Sequence, residues 1–79
     1  MNMIEEIEKS IKAAMPDAEV QASGGGGHFN IRVVSEEFRG KNIVQKQRLV
    51  YNAIWDLMKG NDAPLHAVDS MECLLPEDG

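Results

Sequence analysis

Ala18-Glu19-Val20-Gln21-Ala22-Ser23-Gly24-Gly25-Gly26-Gly27-His28-Phe29-Asn30-Ile31-Arg32-Val33-Val34 is the stretch on which the fold turns. Ala18 to Ser23 reads as a short strand with Val20 and Ala22 on one face. Phe29, Ile31 and Val33 then alternate with Asn30 and Arg32, the period of two that marks a half-buried strand. Strand, glycine link and strand make a β-hairpin. The run Gly24–Gly27 is not a phosphate cradle, because phosphate loops and dinucleotide fingerprints lead into a helix and this run leads into a strand. It reads as a mobile hairpin loop presenting its neighbour His28.

Upstream, Asn2 followed three residues later by Glu5 resembles a capping box. Ile4, Ile7, Ile11 and Ala14 or Met15 recur at helical spacing between charged residues, and Pro16-Asp17 ends this first amphipathic helix. Downstream, Ser35-Glu36-Glu37 starts a helix that Gly40 stops after about one turn. A second helix runs from Asn42 to Lys59, with Ile43, Val50, Ile54, Leu57 and Met58 on one stripe and Gly60 at its end. Asn61 to Pro64 is a turn. Leu65 to Leu75 is a mostly apolar strand closed by Pro76. A strand reached through helices lies parallel to its neighbour by a right-handed crossover. The expected fold is therefore α+β: an αββααβ two-layer sandwich with a three-stranded mixed sheet, built as a single domain over residues 1–79.

With 79 residues, the chain buries only about 60% of its unfolded surface and has no room for a large enclosed pocket, which speaks against a self-sufficient enzyme. Eight basic against 13 acidic residues leave a net charge of −5, which excludes binding by bulk phosphate neutralisation. A single cysteine rules out an internal disulfide framework and favours a reducing compartment. No apolar run is long enough to span a membrane, and Glu5 and Glu6 close behind Met1 do not suit a secretory or transit peptide. The expectation is a cytoplasmic protein, complete as written.

The charge is unevenly spread. From Phe38 to Trp55 there is no acid, while Arg39, Lys41, Lys46 and Arg48 contribute +4 and the other residues carry −9. These four are either a solvated helix surface or a basic face for an acidic partner or phosphate. Between the two helices stands Arg39-Gly40-Lys41-Asn42, whose single glycine counts against the G-x-x-G phosphate clamp of KH domains. His28, at the hinge of the glycine run, and His66, at the start of the last strand, are either ordinary surface or core histidines or metal ligands. Two imidazoles alone leave a metal undersaturated, so such a site needs ligands from another molecule. Cys73 reads as a small buried hydrophobe, and Tyr51 and Trp55, four apart on the long helix, as core or rim packing.

Across nearly its whole length the sequence resembles the BolA family. The resemblance is carried by Glu19-Val20, Gly27-His28-Phe29, Val33-Val34-Ser35, Phe38-x-Gly40, Gln47-Arg48-Leu49-Val50-Tyr51 and Leu65-His66-Ala67-Val68. It implies a fold similar to type II KH domains, with residues 36–59 corresponding to the family's helix-turn-helix. It also implies a non-enzymatic protein, a monomer alone, that forms a heterodimer with a monothiol glutaredoxin and glutathione and shares a bridged 2Fe–2S cluster in iron–sulfur trafficking or iron sensing. His66 and His28 would be this chain's ligands, making it the histidine-bearing subtype, while the partner's cysteine and the glutathione thiol complete the set. The runner-up implication is a DNA-binding transcriptional regulator using Arg39, Lys41, Lys46 and Arg48. Two departures from the family stand out: four glycines before His28, which make its loop flexible, and an end at Gly79 where many relatives continue.

Overall fold

The computed structural model describes residues 3–59, 65 and 67–78. Helix α1 (Met3–Ala14) buries Ile7 and Ile11 one turn apart, and Met15 follows them into the core as the chain leaves the helix. Asn2 lies outside the described residues. Strands β1 (Glu19–Gly25) and β2 (His28–Val34) pair antiparallel from Glu19 opposite Val34 to Gly25 opposite His28. The connecting turn is therefore Gly26-Gly27 alone, with φ of 64° and 84°. Two positive φ values are what a type I′ turn requires, and its twist matches that of the flanking strands. The glycine run thus differs from the expected loop: Gly24 and Gly25 stand in the ladder opposite Phe29 and His28, and His28 is a strand residue.

A single 3₁₀ turn (Glu36–Phe38) stands where a one-turn helix was expected, with the Ser35 hydroxyl accepting the Glu37 amide. Helix α2 (Ile43–Met58) opens with a full capping box. The Gln45 amide donates to the Asn42 side chain at 2.9 Å, and the Asn42 amide donates to the Gln45 side chain at 3.0 Å. The expected turn at residues 61–64 lies outside the described residues. Strand β3 (Ala67–Leu74) then runs parallel to β2, so the sheet order is β1-β2-β3 with β2 central. The α+β expectation of helices on one face of a three-stranded mixed sheet holds.

The core lies between that sheet and the helices. Val20, Phe29, Ile31 and Val33 from the strands meet Ile7, Ile11, Met15, Phe38, Val50, Ile54 and Leu65. The other sheet face carries the polar half of each alternation, with Gln21, Ser23, Asn30, Arg32, Ser70 and Glu72. On α2 the expected stripe shifts. Val50 and Ile54 are buried, but Ile43, the first residue of α2, is 70% exposed, and Trp55, one position on from Ile54 and so turned off the buried stripe, is 59% exposed. Among the described residues no helix is long and apolar enough to cross a membrane.

Candidate functional site

Because β2 and β3 are parallel, both begin at the same end of the sheet, beside the Gly26-Gly27 turn. His28 sits there, opposite Gly25 on one side and Ala67 on the other. Phe29 points into the core, so the alternation of a strand sends His28 to the open side, where its side chain is 59% exposed. The β2–β3 register breaks after Phe29, which pairs with Val68, and resumes with Asn30 opposite Ser70. Asp69 is the extra residue of this irregularity. Its Oδ1 lies 3.4 Å from His28 Nδ1, a long contact between two exposed groups. A carboxylate oxygen accepts, so the contact suits the tautomer with its proton on Nδ1, in which Nε2 has the lone pair. A carboxylate on one ring nitrogen is the usual way to orient a metal-binding histidine.

Gly24 contributes to the same end. Its φ is +117°, and a Cβ there would run into the His28 carbonyl, so only glycine fits without displacing the histidine's backbone. His66 lies outside the described residues. Its neighbours in sequence are fixed: Leu65 is fully buried and donates its amide to the Leu57 carbonyl at 3.1 Å, and Ala67 enters the ladder opposite His28. Among the described residues no group of three His, Cys, Asp or Glu side chains gathers closely enough to hold a metal ion. His28 with Asp69 is one oriented donor rather than a complete site.

The four basic residues do not form one face. Arg39 is bound on both sides, by Glu36 and by Glu77, whose oxygens lie 2.8 and 3.0 Å from its Nη2. These carboxylates hold the guanidinium firmly charged, and it lowers the pKa of both. Lys41 is exposed just before the Asn42 cap. Lys46 and Arg48 are two apart on α2 and so point away from each other. Lys46 stands over Cys73, while Arg48 shares the outer stripe with exposed Val44, Tyr51 and Trp55. Cys73 is partly buried rather than fully, and burial raises its pKa against the opposing charge of Lys46. In the sequence Asp17 marks only a helix end; the fold gives it a further part. Its carboxylate accepts the Glu36 amide at 2.8 Å and the buried Ser35 hydroxyl at 2.9 Å, and both bonds lower its pKa.

Residues 3–77 match the family model for BolA-like protein. The acid stress protein IbaG of Escherichia coli K12 is 36% identical over 63 residues, covering 80% of this chain and 73% of its own. An uncharacterized protein in the rpoN-murA intergenic region of Acinetobacter guillouiae is 47% identical over 47 residues, which are 60% of this chain and 57% of that one. The solved structure of a BolA homologue from Coxiella burnetii superposes with a TM-score of 0.81 at 29% identity, covering 99% of this chain and 96% of that one.

Proposed function

The chain belongs to the BolA-like protein family, and from that premise we propose that it is a non-enzymatic adaptor that pairs with a monothiol glutaredoxin and shares a bridged 2Fe–2S cluster with it. The role is iron–sulfur trafficking or iron sensing. The observation that carries this reading is the exposed His28 imidazole, anchored at the first residue of the central strand with the Asp69 carboxylate 3.4 Å from Nδ1, on the ring side away from Nε2. One such donor fits a ligand position but not a whole centre; in this reading the partner's cysteine and glutathione supply the thiolates, and His66 is the second imidazole of this chain. Histidine in place of cysteine on one iron raises the reduction potential of a 2Fe–2S cluster. The protein's own part is to hold an imidazole in one tautomer at an accessible sheet end, and Asp69 is the positioning residue.

The test mixes the protein with cluster-loaded monothiol glutaredoxin and glutathione and records visible circular dichroism. A spectrum different from the sum of the parts is expected, lost or altered in His28→Ala and in His66→Ala. An unchanged sum, indifferent to both substitutions, sinks the reading.

A second reading is a DNA-binding regulator using residues 36–59. It is favoured by Lys41, Lys46 and Arg48, which make no ion pair among the described residues, and weakened by the engagement of Arg39 with two glutamates. Steeply salt-dependent binding to duplex DNA at physiological ionic strength supports it. No mobility shift at tens of micromolar protein removes it.

A further inference from the structure

The helices do not cover the sheet evenly. The core-facing row of β2, Phe29, Ile31 and Val33, is 4%, 2% and 0% exposed, while the matching row of β3, Val68, Met71 and Cys73, is only partly buried. The uncovered side of β3 and the first turns of α2 enclose a groove of about 180 Å³ lined by Ile43, Lys46, Gln47, Met71 and Cys73. For scale, an apolar cavity of about 150 Å³ holds one benzene ring. The outer edge of β3 is also unpaired among the described residues, since the strand is last in its sheet. Edges of this kind are commonly blunted by proline, lysine or a covering element. Here the eight residues carry neither proline nor lysine, and the only irregularity, at Asp69, lies near the start.

We propose that this groove and edge bind an extended peptide segment of a partner protein as a fourth strand. Its groove-facing side chains are aliphatic, with a carboxylate two residues further on that meets Lys46. The backbone half of the recognition is strand addition, in which main-chain hydrogen bonds supply affinity and alternate side chains supply specificity. The side-chain half follows from the lining. Ile43, 70% exposed, and Met71 make an apolar wall, and Lys46 is a cation with no acid partner among the described residues, in a segment that holds no acid from Phe38 to Trp55. The acids of β3 do not oppose such a guest from within the groove: Glu72 lies on the open face beside Arg32, and Asp69 contacts His28. A single-stranded nucleic acid suits the groove poorly, because Tyr51 and Trp55, the rings on which bases would stack, lie on the outer side of α2 and, among the described residues, only one cation lines the groove.

The groove is separate from the histidine end. Met71 and Cys73 stand four and six residues along β3 from Ala67, about 13 and 20 Å at strand rise. Docking here leaves His28 free, and the inference does not rest on the cluster reading.

The test uses a capped heptapeptide with threonines at odd positions and valine, valine, glutamate at even ones, its reversed-sequence counterpart, and the same pair with lysine in place of glutamate. In amide NMR of the full chain, at least one glutamate peptide is expected to give saturable shifts confined to β3 and Ile43–Gln47, with slowed exchange of the outward β3 amides. Lys46→Glu and lysine for glutamate in the peptide should each weaken binding about tenfold or more, as loss of a charge-assisted contact does. Ile43→Ser, at an exposed position that leaves the fold intact, should weaken it severalfold, and His28→Ala should bind like the parent. No saturable shift by ~1 mM peptide overturns the proposal. So do equal binding of the lysine peptides, shifts on the outer face of α2, or a single-stranded oligonucleotide that shifts the groove amides more tightly than either peptide.

Discussion

His28 is held by its neighbours rather than by its own side chain, and two substitutions separate those neighbours. Gly24→Ala places a Cβ against the His28 carbonyl at a φ that L residues avoid, whereas Gly25→Ala adds a methyl where none of the described residues lies within 4 Å. Gly24→Ala should lower stability by more than about 1 kcal/mol, and Gly25→Ala should be neutral or stabilise by a few tenths, measured by urea unfolding. Equal effects at both sites would show that the ladder through Gly24 is not as described. Asp69→Asn keeps the size of the side chain but swaps an acceptor-only group for one that can also donate, so the imidazole tautomer is no longer specified. A loss of about tenfold in cluster-sharing affinity, read by titration in visible circular dichroism, is the outcome expected of an orienting carboxylate. Urea unfolding of the same variant should be unchanged, which distinguishes positioning from folding. Asp69 could not be found in the sequence, because its nearness to His28 depends on a register break between strands about forty positions apart.

At the scale of elements, what sequence could show was whatever repeats locally. Ile7 and Ile11 at helical spacing and Phe29, Ile31, Val33 at strand spacing both give their buried faces directly. Four glycines in a row carry no such period, so the two that pair could not be told from the two that turn. The long helix is a mixed case. Its core residues Val50 and Ile54 follow the helical repeat, but Ile43, Val44, Tyr51 and Trp55 are apolar and exposed, and hydrophobicity alone does not separate the two groups. Which faces a helix buries depends on where the sheet ends beneath it. The start of α2, by contrast, is fixed by two side chains three apart. Asn42→Ala should cost about 1 kcal/mol through loss of the capping box, and Gln45→Ala less, since the Asn42 side chain still accepts the amide of residue 45. Thermal unfolding followed at the helix band checks the order. Gln45→Ala as the costlier substitution would reverse the assignment of roles in the box.

For the molecule as a whole, the −5 of the sequence is less informative than where three of its carboxylates have gone. Asp17 ties the α1–β1 turn to the 3₁₀ turn through the Glu36 amide and Ser35, and Arg39 ties Glu36 to Glu77 just beyond β3. These contacts close the side of the fold where β1 begins and β2 and β3 finish, opposite the histidine end. In each case the folded protein favours the charged carboxylate, so Asp17, Glu36 and Glu77 all titrate below their ordinary values. The unfolded chain then binds more protons than the folded one between the two sets of pKa values, and stability rises with pH across that window. The contribution is fully present above the unfolded carboxylate range near pH 4 and is lost as pH falls through the lower folded values. The urea midpoint should accordingly hold between pH 7 and about pH 5 and drop steeply below about pH 4. Arg39→Gln removes the cause for two of the three groups. By linkage it should lower the midpoint at pH 7 by as much as it flattens the acid limb, a modest amount because both pairs are exposed. Ser35→Ala removes a buried hydroxyl that caps the 3₁₀ turn and donates to Asp17. It should cost about 1–2 kcal/mol at neutral pH and also lessen the acid dependence. A parent protein whose midpoint falls equally at every pH, or an Arg39→Gln variant with an acid limb as steep as the parent's, would place the acid-sensitive carboxylates elsewhere in the chain.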